Sequence, residues 1–239
     1  MRKISRAITI LASLGAAAGF AGAAHADDYT GHFQVKVLAT GVLPSGHIDS
    51  IKGDPLGLTK SEGALYGLQT QANNNVVPTL AVEYFLKPNI SFETICCVTG
   101  HHVSASANSG AVPGVNLVDH ITILPATLTV KYHLVGMLPA GIKPYVGVGP
   151  AVFIMLSDRP SETVKSALGV TRTKLSSNVG AVVQAGVDVP VGHGYGISLD
   201  AKKYFVGTTA HFYAGSVDAL DADVKLDPWV ISAGVSYRF

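Results

Sequence analysis

Charged residues are scarce in this sequence, and so are cysteines and long hydrophobic runs. Asp, Glu, Lys and Arg make up 14% of the 239 residues, against 48% hydrophobic residues. The formal net charge of +1 provides no basic surface of the kind that binds nucleic acid. After Ala26, no apolar run reaches the roughly 20 residues that a membrane-spanning helix needs. The many apolar side chains must therefore be hidden from water in another way.

The two cysteines are adjacent, at positions 96 and 97. Neighbouring residues on a strand point to opposite faces, so Cys96 and Cys97 cannot easily form a disulfide, although their redox state stays open. Cys97, His101 and His102 lie close together, but their spacing matches no standard set of metal ligands. The chain also lacks a G-x-S-x-G elbow. We therefore expect no metal site, no cofactor and no catalytic residues.

The first 26 residues have the pattern of a secretory signal peptide. Arg2, Lys3 and Arg6 precede an uncharged run over 7–24, which ends in the cleavage motif Ala24-His25-Ala26. The alternative is a membrane anchor, but glycines interrupt the run and no basic segment follows it. We expect a signal peptide over 1–26 and one barrel domain over 27–239.

Apolar residues alternate with polar or small ones in the remaining chain. Between Trp229 and Phe239, every second residue is large and apolar or is alanine, and most residues between them are Ser, Gly or Arg. A period of two is typical of a strand with two different faces. Eight segments show this alternation: 32–37, 79–86, 90–97, 124–134, 145–154, 178–189, 195–202 and 229–239.

The connections between these segments fall into two length classes. Long ones cover about 44–75, 100–119, 156–175 and 206–227, and short ones cover 87–89, 135–141 and 190–194. This layout is typical of outer-membrane barrels, with short periplasmic turns and long extracellular loops. A soluble β-sandwich does not need it. We predict an all-β chain forming an eight-stranded antiparallel transmembrane β-barrel in the bacterial outer membrane.

Six segments carry a resemblance to a known family: NNVVPTL (74–80), PNISFE (88–93), LPATL (124–128), KPYVGVG (143–149), VKLDPWV (224–230) and YRF (237–239). Together and in this order they resemble the outer membrane protein W (OmpW) family, and the likeness spans nearly the whole chain after the signal segment. The resemblance implies a narrow, largely apolar lumen, uptake of small hydrophobic compounds and, in some members, a role as bacteriocin receptor. Ile95 occupies an apolar inward position of the family, whereas Asp200 and Lys202 stand where some members carry bulkier apolar groups.

In each alternating segment, every second residue faces the inside of the predicted barrel. These inward-facing residues form two sets of candidate site residues. Charges enclosed in a narrow barrel must pair, because an isolated buried charge costs several kcal/mol. We expect an ion-pair network that closes the periplasmic half, with an ion-selective constriction as the alternative. The predicted network comprises Glu83, Glu93, Lys131, Asp188, Asp200 and Arg238, with Lys36 on the same parity. The predicted lumen-lining residues are Phe85, Ile95, Tyr145, Phe153 and Lys202.

Aromatic residues and prolines add three expectations. Tyr237 and Phe239 look like the C-terminal signal that the barrel assembly machinery reads. Pro125 and Pro150 cannot donate to a ladder and are hypothesised to leave a local gap in the wall. Aromatic girdles at the lipid interfaces are expected from Tyr84, Phe85, Tyr132, Tyr195, Trp229, Tyr237 and Phe239.

The function we expect is passive. The barrel is predicted to be a narrow channel or receptor for small hydrophobic molecules, and not an enzyme. The alternative is a structural or adhesive barrel whose long loops bind partners such as a bacteriocin or a host surface. The expected partners are outer-membrane lipids, the barrel assembly machinery and small hydrophobic ligands, with no nucleic acid. The oligomeric state and the route by which a ligand leaves stay open.

Overall fold

The computed structural model describes residues 30–63, 65–106, 115–139, 141–160, 165 and 169–239. The predicted signal segment 1–26 lies outside them. Within these residues no helix has the length and apolar character to cross a membrane. The strands are β1 (Phe33–Leu43), β2 (His47–Gly53), β3 (Gln69–Ala72), β4 (Asn75–Lys87), β5 (Ile90–Cys96), β6 (Thr99–Ser106), β7 (Val115–His133), β8 (Lys143–Pro160), β9 (Arg172–Leu175), β10 (Asn178–Gly192), β11 (Tyr195–Phe205), β12 (Gly207–Ala214), β13 (Val217–Lys225) and β14 (Trp229–Arg238).

Eight of these strands close into an antiparallel barrel, as the period-two segments predict. The closed order is β1-β4-β5-β7-β8-β10-β11-β14, and β14 returns to β1. Val37 of β1, for example, lies opposite both Leu80 and Val235. Closure leaves no free sheet edge, so the backbone groups of each strand find partners within the protein.

The two faces of the barrel reverse the usual arrangement of a water-soluble protein. Along β1, Gln34, Lys36 and Thr40 are buried inside, whereas Val37 is 57% exposed on the outside. Other outward valines behave in the same way, and Val235 is 60% exposed. An apolar outer band with a partly polar interior is what a hydrocarbon surrounding selects.

The long connections contain further strands, which the sequence interpretation did not anticipate. β2, β13, β12 and β9 form a second, four-stranded sheet, while β3 and β6 extend the barrel wall along β7. The alternation continues here, since Thr208, Ala210 and Phe212 of β12 are all buried. The end of the barrel with the long connections is therefore a continuation of sheet, and we call it the long-loop end; the opposite end is the short-turn end.

The main apolar cluster lies inside the barrel towards the long-loop end. It joins barrel residues such as Ile123, Phe153 and Tyr204 to Phe212 and Leu220 of the second sheet. The cluster links the two sheets because both turn apolar side chains toward the same interior. The long-loop half of the lumen is consequently filled by hydrocarbon groups.

The two prolines have different effects on the wall. Pro125 remains in register with Phe153, but the β7–β8 ladder is interrupted between the pairs Thr127–Ala151 and Val130–Val148, next to Pro150. The strands stay close there, because a Cβ on Gly149 would lie 2.0 Å from the carbonyl oxygen of Leu128. The wall thus has a break in its hydrogen bonding without an open hole.

Candidate functional site

A network of charged side chains fills the short-turn half of the lumen. Lys131 Nζ lies 2.8 Å from Glu83 Oε2 and 3.0 Å from Glu93 Oε2. Lys36 Nζ approaches the same oxygens at 2.9 and 3.3 Å and reaches Asp188 Oδ1 at 3.2 Å. The side chains of Lys131 and Glu83 have 0% of their surface exposed. Water does not reach this level of the lumen, so the network closes it.

Lys202 and Tyr145 extend this network across the lumen. Lys202 Nζ lies 3.0 Å from Glu93 Oε1 and 2.5 Å from Asp200 Oδ1. The Tyr145 hydroxyl donates to Asp200 Oδ2 at 2.9 Å, and the Lys131 ammonium sits 3.6 Å from the centre of the Tyr145 ring. The tyrosine therefore binds an anion with its hydroxyl and a cation with its ring, which ties β8 to β7 and β11.

The Tyr145 ring fits where it does because the facing residue is Gly186. A Cβ at position 186 would lie 2.4 Å from the Tyr145 hydroxyl and 2.4 Å from the carbonyl oxygen of Leu199. Such distances are far inside normal contact, so any larger residue would displace the ring or the backbone. The network depends on this glycine as well as on its charged members.

Ser91, His133 and Glu83 are grouped as in a hydrolytic site, but their geometry is different. The hydroxyl of Ser91 and the Glu83 carboxylate both approach His133 Nε2, at 2.8 and 2.9 Å. A catalytic triad uses the two ring nitrogens separately, one for the nucleophile and one for the carboxylate. All three side chains are buried without access to solvent. The group holds β4, β5 and β7 together and offers no place for a substrate.

The donor atoms of Glu83, His133 and Asp188 also lie within 4.8 Å of one another, close enough to surround a metal ion. Lys36 already contacts both of these carboxylates, Glu83 at 2.9 Å and Asp188 at 3.2 Å. Its ammonium supplies the positive charge that an ion would otherwise bring. The donor set is therefore satisfied by the protein itself.

Two small apolar cavities lie above the network. The first, which we call the inner cavity, has about 30 Å³, and Ile95, Phe153, Tyr204 and Val230 are in its wall, with Lys202 beside them. The outer cavity has about 50 Å³ and is lined mainly by the second sheet and β7, β8 residues. An apolar cavity that admits benzene has about 150 Å³. A ligand can therefore enter only if lining side chains move aside.

A wider polar cavity lies below the network, at the short-turn end. It has about 320 Å³, and His32, Lys143 and His193 are among its lining residues. Asp188, which belongs to the network, and Arg238 also line it. The lumen is thus divided along its axis into a polar vestibule, a charged barrier and an apolar half.

The predicted site residues are placed at different levels of the lumen. Ile95 and Phe153 line the inner cavity, Lys202 lies between that cavity and the network, and Tyr145 belongs to the network itself. Phe85 is fully buried near the short-turn end, which contradicts its assignment to an outer girdle. The other girdle residues are exposed on the outer face: Tyr84, Tyr132, Tyr195, Trp229, Tyr237 and Phe239.

Most of the predicted network residues come together as described. Arg238 lies apart, at the short-turn end, where it donates to Gln34 and lies 4.7 Å from the centre of the Phe85 ring. Sequence reasoning missed the polar neighbours that complete the network. Their inward parity was the available signal: Gln34, Ser91, His133, Gln184 and Ser198.

Known proteins resemble this chain over most of its length. The sequence profile of the OmpW family matches residues 29–239. The uncharacterized outer-membrane protein y4mB of Sinorhizobium fredii is 31% identical over 209 residues, which cover 87% of this chain and 80% of that protein. Outer membrane protein W of Salmonella typhimurium is 27% identical, covering 87% of this chain and 99% of its own length.

A solved structure shows the same architecture. The outer membrane protein OprG of Pseudomonas aeruginosa superimposes with a TM-score of 0.76 and 20% sequence identity, covering 90% of this chain and 99% of that one. The shared closed barrel and the match of the family profile agree with the apolar outer band. This chain is therefore an outer-membrane β-barrel protein and belongs to the OmpW family.

Proposed function

We propose that this barrel is a narrow, passive passage for small hydrophobic molecules, which enter the apolar half of the lumen from the outside. The observation that carries the proposal is the division of the lumen. An apolar interior with two small cavities faces the long-loop end, and a charged barrier closes the other half. An apolar solute gains by leaving water for the first region, since burial of apolar surface is favourable.

The charged barrier makes a straight route through the barrel unfavourable for such a solute. The solute would have to separate Lys131 from Glu83 and Glu93 without offering them any replacement partner. Breaking a buried ion pair costs about 3–5 kcal/mol. We infer that the solute leaves the lumen sideways, through the wall, and does not cross the barrier.

The break in the β7–β8 ladder is the proposed exit. The break covers Leu128 and Thr129 of β7. Three positions away along β7, Pro125 is paired with Phe153, and both of these residues line the inner cavity. Fewer backbone hydrogen bonds must open at this point than along the continuous ladder between β1 and β14. The passage needs no energy source and no catalytic group, so we assign no enzymatic activity.

A reversible cross-link tests the exit and the function together. In a background with Cys96→Ala and Cys97→Ala, we would join β7 to β8 by the pair Leu128→Cys and Pro150→Cys. The initial rate of toluene uptake into vesicles of outer-membrane lipid should fall to that of protein-free vesicles, and a reductant should restore it. The matched control is Val37→Cys with Val235→Cys, which face each other across β1 and β14; this cross-link should leave uptake unchanged.

The outcomes separate the proposal from its rival. If the β7–β8 cross-link has no effect on uptake, the lateral exit is wrong. If even the protein without cross-links gives no uptake above that of empty vesicles, the passage itself is wrong. Binding of an external protein that depends on the second sheet would then favour the adhesive function, because that sheet presents charged residues such as Lys52 and Asp223 at the long-loop end.

A further inference from the structure

Besides the small hydroxyl groups of threonine and serine side chains, the inner cavity is lined by a larger polar side chain that the barrier does not use. Tyr204 is 1% exposed and lines this cavity, and its hydroxyl has no hydrogen-bond partner among the described residues. A buried hydroxyl without a partner is unfavourable, and native proteins rarely keep one. Phenylalanine would fill the same space without that cost. The hydroxyl therefore calls for an explanation in terms of something that enters the cavity.

The neighbours of Tyr204 explain why it stays unpaired. Its ring packs edge-on against Phe153, with the ring centres 5.3 Å apart. The nearest charged residue on the same face of β11 is Lys202, whose ammonium is already held by Glu93 and Asp200. The carboxylates of the barrier are directed to their lysines, so none is left to accept from the tyrosine.

We propose that the Tyr204 hydroxyl donates a hydrogen bond to a neutral oxygen atom of the transported molecule. The preferred ligand is then a small apolar molecule with one carbonyl, such as a ketone, an aldehyde or an ester, and its apolar part lies against Ile95 and Phe153. This inference rests on the proposed function, because it specifies which hydrophobic molecules the passage favours.

A carboxylate head group fits the same position poorly. Lys202 is already shared by two carboxylates, Glu93 at 3.0 Å and Asp200 at 2.5 Å. A third negative charge beside them would be repelled, and desolvating it would cost more than desolvating a carbonyl. A hydrocarbon, in contrast, is accepted but leaves the hydroxyl without a partner. The neutral oxygen compound is the class that satisfies both conditions.

Cys97 provides a direct measure of occupancy, because it is part of the wall of the same cavity. With Cys96→Ala, it is the single thiol of the chain. A ligand in the cavity should slow the reaction of Cys97 with methyl methanethiosulfonate in lipid nanodiscs. The probes are cyclopentanone, its hydrocarbon isostere methylenecyclopentane, and cyclopentanecarboxylate. Protection is measured as a function of the concentration of each.

Tyr204→Phe should weaken the protection by cyclopentanone about fivefold to tenfold, the effect of one lost hydrogen bond. Protection by methylenecyclopentane should stay within about twofold, since its binding uses no hydrogen bond. The variant keeps the ring, and a heat-dependent shift in electrophoretic migration verifies that the barrel is folded. The control is Tyr195→Phe, which removes a hydroxyl from the outer face and should change neither value.

Three results would overturn the inference. An equal change for the ketone and the hydrocarbon would show that Tyr204 only shapes the cavity. Unchanged ketone protection in Tyr204→Phe would show that the hydroxyl makes no bond to the ligand. Strongest protection by the carboxylate would assign the head-group position to Lys202. If no probe protects Cys97 in the chain with Tyr204, the proposed passage fails along with the inference, which distinguishes that case from the other three.

Discussion

The two halves of the lumen differ in how their contents are fixed. In the short-turn half, which lies toward the periplasm, Lys36 and Lys131 each form an ion pair with Glu83, with Nζ–Oε2 distances of 2.9 and 2.8 Å, and none of the three side chains is reached by solvent. In the long-loop half, which lies toward the cell exterior, apolar side chains such as Ile95, Phe153 and Phe212 line two small cavities. Directional bonds specify one arrangement, whereas apolar contacts allow several. The periplasmic half is therefore suited to be a fixed barrier and the extracellular half to be adaptable.

The largest effect on stability is expected when one charge is removed from the barrier. Lys131→Met keeps a similar side-chain length but leaves Glu83 and Glu93 with less positive charge. The free energy of unfolding should fall by about 3–5 kcal/mol, as for other buried ion pairs that lose one partner. Guanidinium unfolding in detergent micelles measures it, and Lys174→Met on the exposed face of β9 is the control. A loss below about 1 kcal/mol would contradict a tightly coupled barrier.

A smaller loss of stability is expected from a substitution that disturbs the packing of the barrier and leaves all its charges in place. Gly186→Ala puts a methyl group 2.4 Å from the Tyr145 hydroxyl. Overpacking of this kind should lower the unfolding free energy by about 1–3 kcal/mol. Gly41→Ala is the matched control, because its Cβ would meet no atom closer than 3.7 Å. Equal stability of the two variants would mean that the barrier accommodates an added methyl group as readily as the extracellular half does.

The smallest expected effect concerns the extracellular end and its response to acid. Burial raises the pKa of Asp54, but hydrogen bonds from the Thr59 hydroxyl and from the amides of Thr59 and Leu58 outweigh it and hold the pKa below its usual value. The carboxylate therefore stabilises its turn at pH values above its unfolded pKa, about 3.9. That contribution is lost as the pH falls through the lowered value.

We expect the amides of Leu58 and Thr59 to lose part of their protection from hydrogen exchange below about pH 4. Asp54→Asn should remove this pH dependence and reduce protection at neutral pH by less than about 1 kcal/mol, since only one acceptor oxygen remains. Glu62→Gln, at an exposed position of the same connection, is the control. Protection that is equal at pH 7 and pH 3 in the unaltered chain would show that the carboxylate does not hold the turn.

The barrel could be predicted from the sequence because lipid imposes a simple rule on each strand. The alternation in 229–239 marks β14, and the inward parity marks Glu83, Glu93 and Lys131 before any contact is known. Of the additional strands, β2 was missed because its partner lies far away in sequence, with Asp223 of β13 opposite Ser50 of β2. Pairings of this kind depend on the stagger of the strands across the whole sheet, which cannot be read from a short segment of the sequence.

The same reason explains the misplaced or missed members of the site. Parity shows that Phe85, Tyr204 and Arg238 face inward, but it does not give their height in the lumen. Phe85 and Arg238 lie below the barrier, and Tyr204 lies above it. Which inward residues meet depends on the register between neighbouring strands and on distances across the barrel. These are properties of the closed sheet and not of any one segment.

The length of β7 has a consequence for where a solute first meets the protein. This strand has 19 residues, which at a rise of ~3.3 Å per residue and a tilt of ~40° span roughly 48 Å along the membrane normal. The apolar band of such barrels is only ~25 Å tall. Much of the wall therefore stands in the headgroup layer and the water beyond it. On the proposed function, an apolar molecule inside the lumen would be shielded by this wall from the headgroups and the water before it reached the depth of the acyl chains.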